Sequence, residues 1–178
     1  MVCQQIDSTK SAFEIYMMTN KPYGMTFLKY SAHPLSKKAF SQLLADAWIR
    51  SENPNDDPNL SQAKLLSLFQ SAEPSHLMSQ DELNTLKDLD STVTVYRGVT
   101  SFNAKNVKAL PWTLDRNVAE WFASRFDEDG TVYQAQIDKP HIYAYFDGRN
   151  ESEVIVDPKY LMDITESESM DNSFDITM

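Results

Sequence analysis

Two carboxylates stand one residue apart in this chain, at Glu151 and Glu153, directly before the β-branched apolar run at 154–156. Alternate side chains of a strand share one face, so a strand that begins at Glu151 would direct both carboxylates to the same side of a sheet. Like charges on one face repel, and a protein keeps such a pair mainly at its surface or where it uses the charge. The pair therefore predicts either a solvated strand end or a carboxylate site at the end of a buried strand.

Two other motifs precede this pair and are candidates to act with it. Arg97 closes a strand-like run at 92–96 and is followed by Gly98, and Thr113 precedes a helix that Asp115 is placed to cap. A guanidinium donates two parallel hydrogen bonds to a phosphate and keeps its charge across the physiological pH range. Alone, each motif also fits an ordinary surface, as a paired arginine or as a hydroxyl that helps to cap a helix.

The order of the three motifs, at 95–98, 111–113 and 151–156, resembles that of the mono-ADP-ribosyltransferases of the arginine, serine-threonine-serine and glutamate class. That class includes bacterial toxins and phage enzymes, and the resemblance covers residues 92–158. It departs at Pro111, where the family usually has a serine, because proline offers neither a hydroxyl nor a backbone N–H. Thr113 is then the hydroxyl that remains in the middle motif.

The resemblance implies that NAD is the co-substrate and gives each motif a role. Arg97 would hold the NAD diphosphate or the nicotinamide-ribose side, and Thr113 would brace the site by a hydrogen bond to the catalytic glutamate or the ribose. Glu153 would be the catalytic glutamate. Glu151 would help to activate the acceptor, a feature typical of family members that modify arginine.

The same resemblance places Tyr96, Gly98 and Trp112 on the NAD-binding surface, with the two aromatic side chains available to stack on nicotinamide. Cleavage of the nicotinamide–ribose bond passes through an oxocarbenium-like state, as in glycoside hydrolysis. A fixed anion near the developing positive charge stabilises that state, and a second carboxylate can orient or deprotonate the acceptor. We expect Glu153 and Glu151, respectively, to supply these two groups.

Helical periodicity dominates residues 1–90, and strand patterns dominate the chain that follows. The clearest helix is predicted over 35–49 with Ser36 as its N-cap, and further helices follow Ser61 and Ser79. Closely spaced strands with few long crossovers favour an α+β fold over a doubly wound parallel sheet. The resemblance adds a finer expectation: an ADP-ribosyltransferase-like split antiparallel β core, preceded by a helical N-terminal region that packs on it.

We expect residues 1–90 to form a helical part that belongs to the same compact unit as the β-rich, NAD-binding and catalytic core at 91–162. Strands are predicted at 92–96, 107–113, 131–137, 141–146 and 153–156. Residues 163–178 are acidic and contain no Lys or Arg, so they are predicted to form a flexible tail.

Composition argues against several other classes of site. One cysteine and three scattered histidines supply no zinc-ligand spacing, so no metal is expected. The four glycines form no glycine-rich phosphate loop, which argues against a Rossmann-type dinucleotide site. A net charge of −10 disfavours nucleic acid as a partner. The sequence has no transmembrane or signal-peptide pattern, so we expect a cytoplasmic protein without a membrane partner.

The sequence-based hypothesis is a mono-ADP-ribosyltransferase that transfers ADP-ribose from NAD to a protein side chain, with arginine as the preferred acceptor. The resemblance also suggests a phage or mobile-element protein that acts on a target in the bacterial cytoplasm. Four alternatives stay open at this point: an NAD glycohydrolase, a transferase that modifies nucleic acid or a small molecule, a catalytically inactive inhibitor that only binds its partner, and a general interaction protein led by the helical half and the acidic tail. Pro111 is the residue that favours the inactive inhibitor.

Overall fold

Short helices make up the part of the molecule that precedes the sheet. The computed structural model describes residues 14, 16–18, 23–31, 35–51, 57–103, 106–125 and 129–167. Within these residues the helices are α1 (Gly24–Ser31), α2 (Lys37–Arg50), α3 (Gln62–Ser71), α4 (Pro74–Leu77) and α5 (Gln80–Asp88).

The helix starts that the sequence predicts are confirmed. Ser36 and Ser61 each accept a hydrogen bond from a backbone N–H of the first turn of α2 and α3, respectively. Ser79 and Glu82 form a reciprocal capping box at the start of α5. Each of these hydroxyl or carboxylate groups satisfies an N–H that the helix itself leaves without a partner, so the starts are fixed locally.

The rest of the described chain forms one sheet with an embedded helix. Its elements are β1 (Thr92–Val99), β2 (Pro111–Thr113), α6 (Arg116–Ala123), β3 (Thr131–Asp138), β4 (Ile142–Phe146), β5 (Glu153–Val156) and β6 (Met162–Glu166). The strand order is β4-β5-β2-β1-β3-β6, and all neighbouring pairs are antiparallel. Helices followed by an antiparallel sheet make the fold α+β, as predicted.

The middle of this sheet brings the predicted motifs onto neighbouring strands. Thr113 of β2 is paired with Tyr96 of β1 on one side and with Glu153 of β5 on the other. Glu153 is in turn paired with Phe146 of β4. Residues that are directly opposite in an antiparallel pair lie on the same face, so these four residues form a row across four strands. The β1–β2 ladder contains the single registered pair Tyr96–Thr113, whereas β1 pairs with β3 along its full length.

One hydrophobic core joins the helices to the sheet. The Trp48 ring of α2 meets the Phe69 ring of α3 edge to face, with the centroids 4.9 Å apart. Phe69 in turn lies 6.4 Å from the ring of Phe146 in β4. The edge-to-face contact of Trp48 with Phe69 is favourable beyond the area that it buries, and the tilted Phe69–Phe146 pair extends the contact to β4. The chain of rings therefore fixes α2 against the strand edge that carries Glu153.

Close packing of α6 on β1 requires a glycine at position 98. A Cβ atom there would lie 2.1 Å from the Ala119 carbonyl oxygen and 2.6 Å from the Ala123 backbone nitrogen. Both obstacles are backbone atoms, so α6 would have to move. We expect Gly98→Ala to lower the free energy of unfolding by about 3 kcal/mol, as overpacked sites do, measured by urea denaturation.

Gly148 supplies the matched control, because a Cβ built there meets no atom within 4 Å. Gly148→Ala should change the free energy of unfolding by less than about 0.5 kcal/mol. Equal stabilities of the two alanine variants would contradict the packing role of Gly98.

Several sequence-based boundaries differ from the structure, and the strand predicted at 92–96 continues as β1 to Val99. Strand β2 is confined to Pro111–Thr113, although the pattern predicted a strand from residue 107. The predicted tail at 163–178 was wrong at its start, because β6 pairs with β3 along the outer edge of the sheet. The acidic residues in β6 suit an edge strand, where charge discourages pairing with other chains. Residues 168–178 of that predicted tail lie outside the described residues.

Candidate active site

The row across the sheet contains the candidate catalytic glutamate, whereas the candidate phosphate-binding arginine comes next to a member of the row, so strand alternation directs its side chain to the opposite face of the sheet. Arg97 follows Tyr96 on β1, and its Nη1 donates a hydrogen bond across to the Pro111 carbonyl oxygen of β2. Its positive charge lies close enough to Glu153 to lower the pKa of that carboxyl. Arg97 and Glu153 therefore belong to one electrostatic environment, on strands separated by β2.

Glu153 is a buried carboxylate with two side-chain partners. It is 7% exposed. Its Oε1 accepts a hydrogen bond of 2.9 Å from Trp48 Nε1, and its Oε2 accepts one of 3.2 Å from Arg149 Nη2. Burial raises the pKa of Glu153 from 4.5 to about 7, although Trp48 and Arg149 oppose the change by favouring the charged form. The carboxyl therefore changes its charge near neutral pH.

This pKa makes the stability of the fold depend on pH. Because the pKa is higher in the folded state, the folded protein holds a proton that the unfolded chain has lost between pH 4.5 and about 7. The contribution of Glu153 to the free energy of unfolding is fully present below pH 4.5 and is lost as the pH rises through about 7. The total change is about 3 kcal/mol. Glu153→Gln resembles the protonated form, so its advantage in unfolding free energy over the wild type should grow from near zero at pH 4 to about 3 kcal/mol at pH 8.

Chemical denaturation of the wild type and the variant across this pH range measures the effect. The control is Glu120→Gln, which alters a carboxylate that is 45% exposed and paired with Arg116. Its stability difference from the wild type should stay nearly constant with pH. A difference for Glu153→Gln that is equally constant would contradict the raised pKa.

The two carboxylates converge, but by a route different from the predicted one. Strand β5 begins at Glu153, so Glu151 lies before it and strand alternation does not align the pair. Ser152 and Asn150 instead have φ angles of 43° and 55°, which turn the chain back on itself. Both carboxylates then meet the same nitrogen, Arg149 Nη2, at 2.7 Å from Glu151 and 3.2 Å from Glu153.

Arg149 and Trp48 are site residues that sequence reasoning missed. Arg149 also donates from Nη1 to the carbonyl oxygen of Ile49 at 3.2 Å, so it ties the acidic segment to the end of α2. Its signal in the sequence was its place as the sole cation of the acidic turn at 147–153. Trp48 had no such signal, because its position in the apolar stripe of α2 predicts a core residue, and it is one.

Thr113 braces the segment that leads into β5. Its Oγ1 donates a hydrogen bond of 2.7 Å to the Glu151 carbonyl oxygen and accepts one of 3.0 Å from the backbone N–H of Asp115. The backbone N–H of Leu114 donates to the Ser152 carbonyl oxygen next to it. The hydroxyl thus contacts the backbone of Glu151 rather than the carboxylate of Glu153, which was one of the two partners that the resemblance implies, the other being the ribose. It still fixes where both glutamates stand.

The three other residues predicted to contact NAD, namely Trp112, Gly98 and Tyr96, lie in different surroundings. Trp112 is 2% exposed, and its Nε1 donates to the Ala109 carbonyl oxygen, so it is a core residue that presents no free face to a ligand. Gly98 lies under α6, where the close approach of two backbones explains the glycine. Tyr96 is partly exposed beside Thr113 and is the aromatic residue of this group that a ligand can reach.

Comparison of the chain with protein-family models, with curated proteins and with solved structures found no match. Among the described residues, no group of three or more His, Cys, Asp or Glu side chains is arranged to hold a metal ion. In the same part of the chain, no helix has the length and apolar character needed to cross a membrane. The interpretation of the site therefore depends on its own geometry.

Proposed function

We propose that this protein is a mono-ADP-ribosyltransferase that uses NAD as co-substrate and modifies arginine side chains of a protein target. The observation that carries the proposal is the enclosed Glu153 carboxylate of β5, paired with Thr113 of β2, while Arg97 lies on the adjoining strand β1 with its charge near enough to lower the pKa of Glu153. A buried anion, a nearby guanidinium and a bracing hydroxyl are the groups that this reaction needs. They come from three separate segments in the order that the sequence resemblance requires.

The charged side chains of Arg97 and Glu153 suit two different parts of NAD. The Arg97 guanidinium suits the diphosphate of NAD, because it can donate two parallel hydrogen bonds to phosphate oxygens. The Glu153 carboxylate suits the ribose, where a fixed anion stabilises the positive charge that develops as nicotinamide departs. Nicotinamide leaves as a neutral molecule from a cationic ring, so this step needs no proton donor.

The acidic environment around Glu151 supports arginine as the acceptor. A guanidinium already lies against Glu151 in the structure, at 2.7 Å from its carboxylate. A carboxylate at this distance can orient an acceptor guanidinium and accept the proton that it loses. Glu153 beside it would hold the ribose within reach of that nitrogen.

The deciding experiment measures nicotinamide release and labelled ADP-ribose transfer with the purified full chain. Incubation with biotin-labelled NAD and a bacterial lysate should release nicotinamide and label discrete protein bands. Nicotinamide release without protein label would favour the glycohydrolase. Labelled nucleic acid would favour a transferase whose acceptor is nucleic acid. The absence of nicotinamide release under all conditions would overturn the proposal.

Glu151→Gln should separate the two half-reactions. The variant loses the base for the acceptor, so transfer to a protein or to free agmatine should fall by about 10²-fold or more. Nicotinamide release in the absence of acceptor should fall far less, because Glu153 is still present. Equal losses in the two assays would contradict the division of roles between the carboxylates.

A second candidate, a binding-only inhibitor, is favoured by the enclosure of Glu153. Trp48 and Arg149 occupy one carboxylate oxygen each, and Pro111 contributes no hydroxyl to the middle motif. A protein of this kind would give no heat with NAD in titration calorimetry. Measurable NAD binding that Arg97→Ala weakens would exclude it.

A further inference from the structure

Arg149 stands where the acceptor of the proposed reaction would stand. We infer that its guanidinium occupies the acceptor position in cis and that Arg149 is itself a site of ADP-ribosylation. This inference depends on the proposed transferase function and adds to it a modification site within the chain.

The contacts of Arg149 differ from those of the other described arginine–carboxylate pairs. One terminal nitrogen, Nη2, lies 2.7 Å from Glu151 and 3.2 Å from Glu153. Arg50 and Arg116, by contrast, each direct Nε toward a carboxylate one helical turn away. Terminal nitrogens of the guanidinium are the less hindered nucleophiles. Arg149 therefore presents such a nitrogen to both the proposed base and the proposed ribose-binding anion.

The balanced reaction uses groups that are already in contact. The bond between nicotinamide and ribose C1′ breaks, and its electron pair leaves with nicotinamide. Arg149 Nη2 forms the new bond to C1′, and the proton that it loses passes to Glu151 at 2.7 Å. The products are neutral nicotinamide, one proton and ADP-ribosylated Arg149, so no oxidant or further reactant is needed.

The surroundings of Arg149 leave room for a bulky product. Its side chain is 34% exposed, and the preceding Gly148 has no atom within 4 Å of an added Cβ. The loop backbone is anchored independently of the Arg149 side chain, because the Ser152 backbone N–H donates to Asp147 Oδ1 and the Leu114 N–H donates to the Ser152 carbonyl oxygen. A modified side chain can therefore turn outward while the loop backbone stays in place.

A tethered acceptor also competes with acceptors from solution. A group held on a short segment has an effective concentration in the range of about 1 mM or more. Free agmatine, a small guanidino compound, should therefore suppress self-modification only near millimolar concentration. Removal of the Arg149 guanidinium should make free agmatine a better acceptor, because both carboxylates become available to it.

The test follows biotin-labelled NAD into the wild type and two arginine variants. Mass spectrometry should find ADP-ribose on Arg149 of the wild type, at a rate constant independent of protein concentration. Arg149→Lys should lose that label. The control Arg116→Lys should keep the label at Arg149, because Arg116 pairs with Glu120, one turn further along α6, and not with Glu151 or Glu153. Arg149→Ala should raise the rate of agmatine modification at low agmatine concentration, in an assay at a pH well above the pKa of Glu153, where that carboxyl is ionised without help from Arg149.

The outcomes separate this inference from the proposed function. Nicotinamide release and transfer to agmatine without any label at Arg149 would overturn the inference and leave the transferase intact. A loss of agmatine transfer in Arg149→Ala would also overturn it, since Arg149 would then position the carboxylates rather than occupy the acceptor place. No nicotinamide release from the wild type would overturn the transferase, and the inference with it.

Discussion

Glu153→Gln is expected to reduce nicotinamide release by about 10²-fold or more, the loss typical when a group that stabilises transition-state charge is removed. Glutamine keeps an oxygen for the Trp48 Nε1–H bond and a similar volume, so the packing around residue 153 is preserved. What it lacks is the negative charge beside the developing oxocarbenium. Steady-state nicotinamide release at saturating NAD measures the effect.

The control for this prediction is Glu120→Gln, which removes a glutamate charge from an exposed surface pair. It should release nicotinamide at the wild-type rate. The wild-type rate should also rise with pH and level off above about 7, because the ionised carboxylate is the active form. Full activity in Glu153→Gln would remove the basis of the proposed mechanism.

Arg97→Ala is the variant with the second largest expected effect. The substitution removes the proposed bidentate partner of the NAD diphosphate, and charged hydrogen bonds of this kind lost at a partly buried site cost about 2–3 kcal/mol. We therefore expect kcat/KM for NAD to fall by about 30-fold to 150-fold. Arg97→Lys keeps the charge but not the paired donors, so it should fall between the alanine variant and the wild type.

Arg116→Ala serves as the control, because Arg116 pairs with Glu120 on α6 rather than with the strands of the candidate site. It should leave kcat/KM for NAD unchanged. Thermal unfolding of each variant distinguishes a binding effect from a folding defect, because Arg97 also donates to the Pro111 carbonyl across the β1–β2 pair. A folded Arg97→Ala protein with wild-type kcat/KM would exclude Arg97 from the NAD site.

The stability of the fold and the proposed activity make opposite demands on Glu153. Burial beside Trp48 favours the neutral acid, and the pKa of about 7 reflects that preference. The proposed reaction requires the anion. Carboxyls with raised pKa values in enclosed sites are common where chemistry is done, although structural networks also produce them. A Glu153→Gln protein that is inactive, and above pH 7 more stable than the wild type, would show that folding favours the neutral side chain and that the reaction requires the anion.

Features encoded within a few residues of sequence were predicted well. The serine caps of α2, α3 and α5 and the strand at 153–156 follow from hydrogen-bonding groups and apolar patterns that act over one or two turns. The edge strand β6 was missed because its exposed, acidic residues resemble a solvated tail. It forms because β3 offers an open edge, which is a property of the sheet.

By itself, the sequence determined the α+β class, the helix starts and the order of the Arg97, Thr113 and Glu153 motifs. Only the tertiary structure decided that Glu153 is enclosed, that Trp112 belongs to the core and that Arg149 bridges two carboxylates. The physical reason is that these features depend on contacts between residues far apart in the sequence. Trp48 and Glu153 are 105 residues apart in sequence, yet their hydrogen bond of 2.9 Å accompanies the burial that raises the pKa of Glu153. Burial and such distant partners arise only when the helices pack on the sheet, and no local pattern specifies them.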